Sequence, residues 1–327
     1  MDLIESIFKV EPGREADRLA RRYGYRPFMV ERYLMMLGSE AEDLLEANEE
    51  PMPETIRCND YIINCNKLEE RLRAKGFRLE PIPFTRHGYK VLEAPIPPGA
   101  THEYLQGYYY IQDPGSMTVV YHLDPRPGEL ILDAAAAPGG KATQILQETR
   151  DSAVLVAVEV SRRRIKALRS HLNRMRFSNY ILIRGDSRRV PGIEADRILL
   201  DAPSSGEGII RKDPSRKTSR SIKDLRVVHE LQYSMLSSLV DRLKPGGTLV
   251  YAACTTAVEE GELVVSRLLW SRSDVYVEAT GITPGDPGIE EYGRFRMHPE
   301  VRKCSRLWPH RHGTEGFFIC RLRRSHT

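Results

Sequence analysis

The sequence predicts an α/β protein: a doubly wound, Rossmann-like domain built on a seven-stranded, mostly parallel sheet, with a small N-terminal α+β module. Three observations carry that expectation. From about residue 130 onward, short apolar runs alternate with helical patterns, the order that parallel strands joined by crossover helices require. The apolar runs are unbroken, as in strands buried on both faces. Acidic residues stand at the ends of successive runs, where open α/β sheets bind their ligands.

The strands are expected at residues 130–133, 154–158, 180–183, 197–200, 248–251, 275–277 and 317–320. Helices are expected at 142–147, 161–175, 222–243 and 258–270. Residues 1–105 have a different texture. Helical patterns at 14–22 and 27–36 precede a break at Pro51-Met52-Pro53, then a strand at 55–58 and a helix at 68–75. Pro95-Ile96-Pro97-Pro98-Gly99 resembles a linker. The expected division is therefore 1–105, an accessory helical and α+β module, and 106–327, the larger domain.

With 41% hydrophobic and 29% charged residues among 327, the composition is that of a soluble globular protein. No apolar run reaches the roughly 18 residues of a membrane span. Met1-Asp2-Leu3-Ile4-Glu5 carries acids where a signal peptide carries Lys or Arg, so a cytoplasmic location is expected. The net charge of +4 is too mild for a protein that coats nucleic acid. Its distribution says more: Arg162, Arg163, Arg164, Arg169, Arg174 and Arg176 crowd one segment, and Arg211, Lys212, Arg216, Lys217 and Arg220 another. Such clusters suit a phosphate backbone or a solvated helix face. A late basic stretch, Arg294 to Arg311, with Trp308 and Tyr292, offers further phosphate and base contacts.

Five cysteines, Cys58, Cys65, Cys254, Cys304 and Cys320, are odd in number and lack any Cys-x-x-Cys pair. Neither a zinc site nor a disulfide framework is expected from that spacing. Four of them read as small buried hydrophobes. Cys254 differs, because it ends a central strand and precedes a helix, a position that favours thiolate.

The first strand runs into Asp133-Ala134-Ala135-Ala136-Ala137-Pro138-Gly139-Gly140-Lys141, a turn of small residues that lets backbone N–H groups approach a ligand. Neither a P-loop nor a dinucleotide G-x-G-x-x-G is present. Glu159 ends the second strand, where an acid accepts ribose hydroxyls. Asp186 ends the third, and is placed to take an adenine amino hydrogen. Asp201-Ala202-Pro203-Ser204 ends the fourth, and Tyr251-Ala252-Ala253-Cys254 the fifth. Each acid alone is an ordinary surface residue. The ordered set is a nucleoside-cofactor site.

DAAAAPGGKA, DAPSSGEGIIRKDP, LKPGGTLVYAACTT followed by Glu259-Glu260, and HGTEGFF occur in that order. Together with YYIQDPGSM and Arg57-Cys58-Asn59 they resemble the RNA cytosine-C5 methyltransferases, the family of bacterial rRNA methylases and of nucleolar and tRNA enzymes. The resemblance covers about residues 50–323. It implies a Rossmann-like class I fold, S-adenosylmethionine as cofactor, and RNA as partner, with no metal and no membrane association. Residues 1–105 then become an RNA-binding module, and 106–327 the catalytic domain of a monomer. The resemblance places Ala136, Ala137, Pro138, Gly139, Gly140 and Lys141 along the methionine part of the cofactor, Glu159 at its ribose with Arg164 in support, and Asp186 at its adenine. Asp201 falls near both cofactor and base, and Cys254 is the implied nucleophile.

One position departs from the family: Ser204 stands where a second cysteine assists release of the product. Three readings follow. Ser204 is an engineered change; or release proceeds with Ser204 or water; or methylation has moved to the exocyclic N4, which needs no covalent adduct. A ribosome assembly factor that has lost turnover is a non-enzymatic alternative. A nicotinamide-dependent oxidoreductase is remote without the G-x-G-x-x-G signature.

Overall fold

The computed structural model describes residues 2–190 and 192–326. The chain folds as two compact units that do not follow sequence order: residues 53–201 with 239–250, and residues 1–52 with 202–238 and 251–327. Two strands pass covalently from one unit into the other, Ala195–Ala202 just after Asp201 and Leu243–Ala253 just after Val250.

All seven expected strands form. In the first unit Leu130–Asp133 lies parallel to Val154–Glu159 on one side and to Ala195–Ala202 on the other. Tyr180–Arg184 pairs in parallel beyond Val154–Glu159. Ile131, Leu132, Leu155, Ala157, Ile198 and Leu199 have no exposed surface, which accounts for the unbroken apolar runs: helices cover both faces of a parallel sheet. Helices Gly140–Glu148 and Arg162–Arg174 make the crossovers. A separate four-stranded antiparallel sheet uses Thr55–Cys58, Arg78–Pro81, Gly88–Glu93 and Tyr109–Ile111. It packs Ile56, Val91 and Tyr109 against Leu68 and Leu72 of helix Cys65–Arg73.

In the second unit, Arg14–Tyr23, Pro27–Leu37 and Ala41–Ala47 are helices. They bury Leu19, Met29, Tyr33, Leu44 and Leu45 together with Trp308. Here the sheet of the expected strands gains two short ones, Asp286–Pro287 and Ser305–Leu307, while Glu291–Tyr292 pairs with Phe295–Arg296 apart from it. Ser305–Leu307 runs antiparallel to Phe317–Arg324, as does Val275–Val277. Neither short strand is long enough to leave a periodic signature in sequence.

The cysteine expectation is overturned. Cys58 is joined to Cys65 and Cys304 to Cys320. Spacing in sequence was the wrong measure. Cys58 ends a strand and Cys65 opens the helix that packs on it, with Cα atoms 5.9 Å apart. Cys304 and Cys320 flank the paired residues Ser305 and Ile319, with Cα atoms 4.5 Å apart. Cys254 belongs to neither bridge.

Gly107 shows how tightly the small sheet is set against helix Arg162–Arg174. Its φ is +77°, and a Cβ there would lie 1.9 Å from the Arg174 carbonyl oxygen. Asn59 Nδ2 ties the same place together, donating to the carbonyls of Gly107 at 3.0 Å and Met175 at 3.2 Å. Gly107→Ala combines left-handed strain with a backbone clash, so chemical denaturation should show a loss of at least about 2 kcal/mol. A midpoint unchanged from the parent protein would contradict this packing.

Candidate active site

The glycine turn after the first parallel strand is built as a ligand cradle. Gly139, with φ +116°, precedes the helix as its N-cap and makes no side-chain cap, so the first amide groups keep donors for a ligand. Ala136 and Ala137 are buried and present no bulk. Ala136 N donates to the Val158 carbonyl at 3.0 Å. Beneath the turn lies Arg57, fully buried and without a carboxylate among its hydrogen-bond acceptors. It donates to the Gly140 carbonyl at 2.8 Å, Thr143 Oγ1 at 2.9 Å and Gln147 Oε1 at 3.0 Å, and also to Gln112. Burial pulls its pKa down to about 10.

The acids expected at the strand ends are in place. Glu159 is buried; Oε1 accepts from Ser161 N at 2.8 Å and Oε2 lies 3.4 Å from Arg164 Nη1. Arg164 also donates to the Ala137 carbonyl, joining Glu159 to the small-residue turn. Asp186 is gripped by its own neighbour: Arg188 donates its backbone N–H at 3.0 Å and its guanidinium at 2.6–3.0 Å. Those hydrogen bonds hold the Asp186 carboxyl below its ordinary pKa. An adenine amino group at this strand end would share Asp186 with Arg188. Lys141 Nζ meets Asp201 Oδ2 at 2.8 Å.

Sequence reasoning gave Asp133 no role, yet it is the most perturbed acid here. It is buried, and its Oδ2 has no hydrogen-bond partner among the described residues. Burial, then the Asp201 charge, push its pKa up to about 7. A buried acid with an open acceptor beside a glycine cradle suits a cationic, hydrogen-bond-donating ligand. The residues present therefore fit a nucleoside cofactor with an amino-acid arm.

The thiol stands in the other unit. Cys254 follows strand Leu243–Ala253 and is half-buried. Ser204 Oγ donates to its carbonyl at 3.1 Å and Gly208 N at 3.3 Å. The expected helix at 258–270 begins later, at Glu262; residues 255–261 intervene, so Cys254 does not sit at a helix N-terminus. Its neighbour is Glu315 instead, with Oε2 at 3.5 Å from the sulfur.

Below these loops lies a buried polar network of which only the Glu259-Glu260 pair is a local feature of the sequence. Arg32 bonds Glu207 at 2.8 Å and Glu259 at 2.6 and 2.8 Å. Arg306 bonds Glu262 at 2.5 and 2.6 Å and the Thr256 carbonyl at 2.9 Å. Glu260 accepts from Ser205 N and Oγ, both at 2.6 Å, and from Thr255 Oγ1 at 2.5 Å. Burial, then the Glu207 charge, raise the Glu260 pKa to about 7.

Much of the basic sequence is spent internally. Arg216 pairs with Asp213, Lys217 with Glu49, and Arg311 with Glu40 and Asp286. Trp308 and Tyr292 are buried, and are not surfaces for stacking bases. Arg162, Arg163 and Arg169 remain exposed on one helix. No helix among the described residues is long and apolar enough to cross a membrane. No group of three His, Cys, Asp or Glu among them is placed to hold a metal ion.

The parallel sheet, the glycine cradle and the ordered acids define a Rossmann-like, class I S-adenosylmethionine-dependent methyltransferase. Residues 120–323 match the model of the 16S rRNA methyltransferases RsmB/F, and 27–114 that of the N-terminal domain of RsmF. The chain belongs to the RsmB/F methyltransferase family. It is 36% identical to the Schizosaccharomyces pombe 25S rRNA (cytosine-C(5))-methyltransferase nop2, over 96% of this chain and 54% of that protein. To an Escherichia coli ribosomal RNA small subunit methyltransferase F it is 35% identical, over 87% and 60%. The chain thus spans little more than half the length of these relatives. Among solved structures, a Pyrococcus horikoshii methyltransferase homologue superposes with a TM-score of 0.86 at 33% identity, covering 95% of this chain and 99% of that one. Pyrococcus horikoshii NSun6, solved with SFG, gives 0.81 at 25% identity, covering 90% and 97%.

The raised acid Asp133 has a consequence for pH. Its folded pKa of about 7 exceeds the ordinary value near 4, so the folded state prefers the protonated form. That contribution is complete below about pH 4 and is lost as pH rises toward 7. Asp133→Asn should flatten this part of the stability profile, by an amount on the order of 4 kcal/mol, in denaturant melts from pH 4 to 7.5. A variant profile parallel to the parent's would show that Asp133 does not carry the perturbed titration.

Proposed function

We propose that this chain methylates carbon 5 of a cytosine in structured RNA, ribosomal RNA foremost and transfer RNA as the alternative substrate, through a covalent adduct on Cys254. The observation that carries the reading is the thiol itself: half-buried, outside both disulfides, at the end of a central strand. The names of the relatives, which are rRNA cytosine-C5 methyltransferases, support the same substrate class.

The chemistry assigns each residue a task. Carbon 5 of cytosine is a weak nucleophile until a group adds at C6 and turns the ring into an enamine. Cys254 supplies that group through its sulfur, which gives up its proton as it adds. Asp201, steadied by Lys141 at 2.8 Å, favours the proton that N3 takes up. The turn Ala136-Ala137-Pro138-Gly139-Gly140-Lys141 holds the amino-acid arm of the cofactor, Glu159 with Arg164 its ribose, and Asp186 its adenine. Bound there, S-adenosylmethionine supplies an electrophilic methyl group; NSun6 was solved with SFG, an analogue of it. The C5 proton then leaves and the cysteine is expelled.

Ser204 occupies the place of the family's second cysteine, and its hydroxyl is turned to the Cys254 carbonyl at 3.1 Å. A serine is a far weaker base than a thiolate, so release proceeds with water or another group. The same substitution favours N4 methylation as the second reading. We assign RNA binding to residues 1–105 and catalysis to 106–327. That division is functional, since 1–52 and 53–105 pack in different units. A cytoplasmic monomer completes the proposal.

Incubation with tritium-labelled S-adenosylmethionine and rRNA or tRNA transcripts, followed by nucleoside analysis, separates the readings. The expected product is 5-methylcytidine, absent with Cys254→Ala although that variant still binds S-adenosylmethionine. N4-methylcytidine, or full activity of Cys254→Ala, would sink the C5 reading. Cofactor binding with no turnover on any transcript would leave an assembly factor.

A further inference from the structure

We propose that Glu315 is the proton acceptor for the Cys254 thiol, a catalytic carboxylate held in place by Lys212. The proposal rests on the reading of Cys254 as nucleophile and adds the group that activates it. Glu315 is 7% exposed, and its two oxygens are divided between two partners. Oε2 lies 3.5 Å from Cys254 Sγ, and Oε1 lies 2.5 Å from Lys212 Nζ. A carboxylate kept only for an ion pair with a surface lysine has no need of a buried oxygen on a sulfur.

The approach is built by backbone, not by a flexible side chain. Gly316 N donates to the Gly208 carbonyl at 2.9 Å, and Gly208 N to the Cys254 carbonyl at 3.3 Å. A Cβ on Gly208 would lie 2.1 Å from the Gly316 carbonyl oxygen and 2.8 Å from the Cys254 carbonyl carbon. One on Gly316 would lie 2.7 Å from Thr256 Cγ2 and 3.0 Å from Gly208 Cα. Three loops therefore touch at their main chains, and only glycine permits it. Glu315 precedes one of these glycines and is fixed beside the sulfur by the same contact.

The helix begins only at Glu262, so the thiol is not at a helix N-terminus; a carboxylate within reach of the sulfur is a base that can take its proton. As the S–C6 bond forms, the S–H bond breaks and its proton passes to Glu315 Oε2. The C5=C6 pair shifts to C4=C5, and the C4=N3 pair to N3, which takes a proton from solvent; the C4=C5 pair then bonds the methyl that the cofactor gives up, and the N3 pair re-forms C4=N3. When the C5 proton leaves to water, its electron pair forms C5=C6 and the S–C6 bond breaks; the sulfur recovers its proton from Glu315, and N3 returns its proton to solvent. Lys212 keeps the carboxylate oriented throughout.

Four of the five cysteines are in disulfides, so iodoacetamide alkylation of the unreduced protein reads Cys254 alone. The charged groups around the thiol in its own unit include, among the described residues, Glu315 and Lys212, with the buried Glu207 and Glu260 bonded to the adjoining Thr256 and Thr255, and Arg306 bonded to the Thr256 carbonyl. Glu315→Gln removes both the base and a negative charge. Methyl transfer to RNA should fall by about 100-fold or more, while alkylation at pH 7 speeds up severalfold, because losing a neighbouring anion lowers the thiol pKa. Glu315→Asp should recover part of the transfer rate. Lys212→Met should shift alkylation the other way, leaving the anion uncompensated; this holds the test open should Glu315→Gln melt early. Glu315→Gln with transfer within threefold of the parent, or with transfer and alkylation falling together, overturns the proposal. So does Lys212→Met with unchanged or faster alkylation. Full transfer by Cys254→Ala instead removes the C5 reading and is distinct from either result.

Discussion

Buried charge must be paired, and in the unit that carries the thiol that requirement organises everything else. Arg32 and Arg306 are fully buried, and so are Glu207, Glu259, Glu260 and Glu262. Each arginine clamps a carboxylate in fork geometry, the arrangement that suits guanidinium best. Removing one partner of such a pair typically costs about 3–5 kcal/mol, because the other charge stays buried. Arg32 comes from the N-terminal helix Pro27–Leu37, Glu207 from the Ser204 turn and Glu259 from the segment after Cys254. One side chain thus fixes three distant stretches of sequence, among them both loops of the thiol site.

The unit that carries the glycine turn solves a similar problem differently. Arg57 is as deeply buried, but its acceptors are amides, a hydroxyl and a carbonyl. The cation is satisfied without a second charge, at the expense of a lowered pKa. What it supports is the glycine turn from below, from the strand Thr55–Cys58 of the small sheet. The accessory sheet and the glycine turn are therefore mechanically one piece within that unit. Disulfides add to both units. Such bridges are uncommon in cytoplasmic proteins, with intracellular proteins of hyperthermophiles the known exception.

The legible part of the sequence was the part with periodicity or local motif. Residues 154–158 and 180–183 are strands because unbroken apolar runs have no other partner than a covered sheet, and Glu159 and Asp186 follow as the residues that end them. Lys141 and Asp201 were legible one at a time, their 2.8 Å contact was not. Asp133 looked like one more strand-end residue; only burial distinguishes it. Arg32 lies 175 residues from Glu207, and no local pattern encodes a pair so far apart. The cysteine pairs failed for the same reason, since strand register and helix docking set which sulfurs meet. Glu315 sat in plain view inside HGTEGFF, and gained a role only beside a sulfur.

In the proposed reaction a sulfur–carbon bond forms and breaks during each turnover. RNA carrying 5-fluorocytidine at the modified position blocks loss of the C5 substituent and should arrest the protein after methyl transfer. Intact mass spectrometry under denaturing conditions should then find protein and RNA joined one to one, with the attachment at Cys254. Methyl transfer to unmodified RNA without any such adduct on the fluorinated RNA would contradict the account.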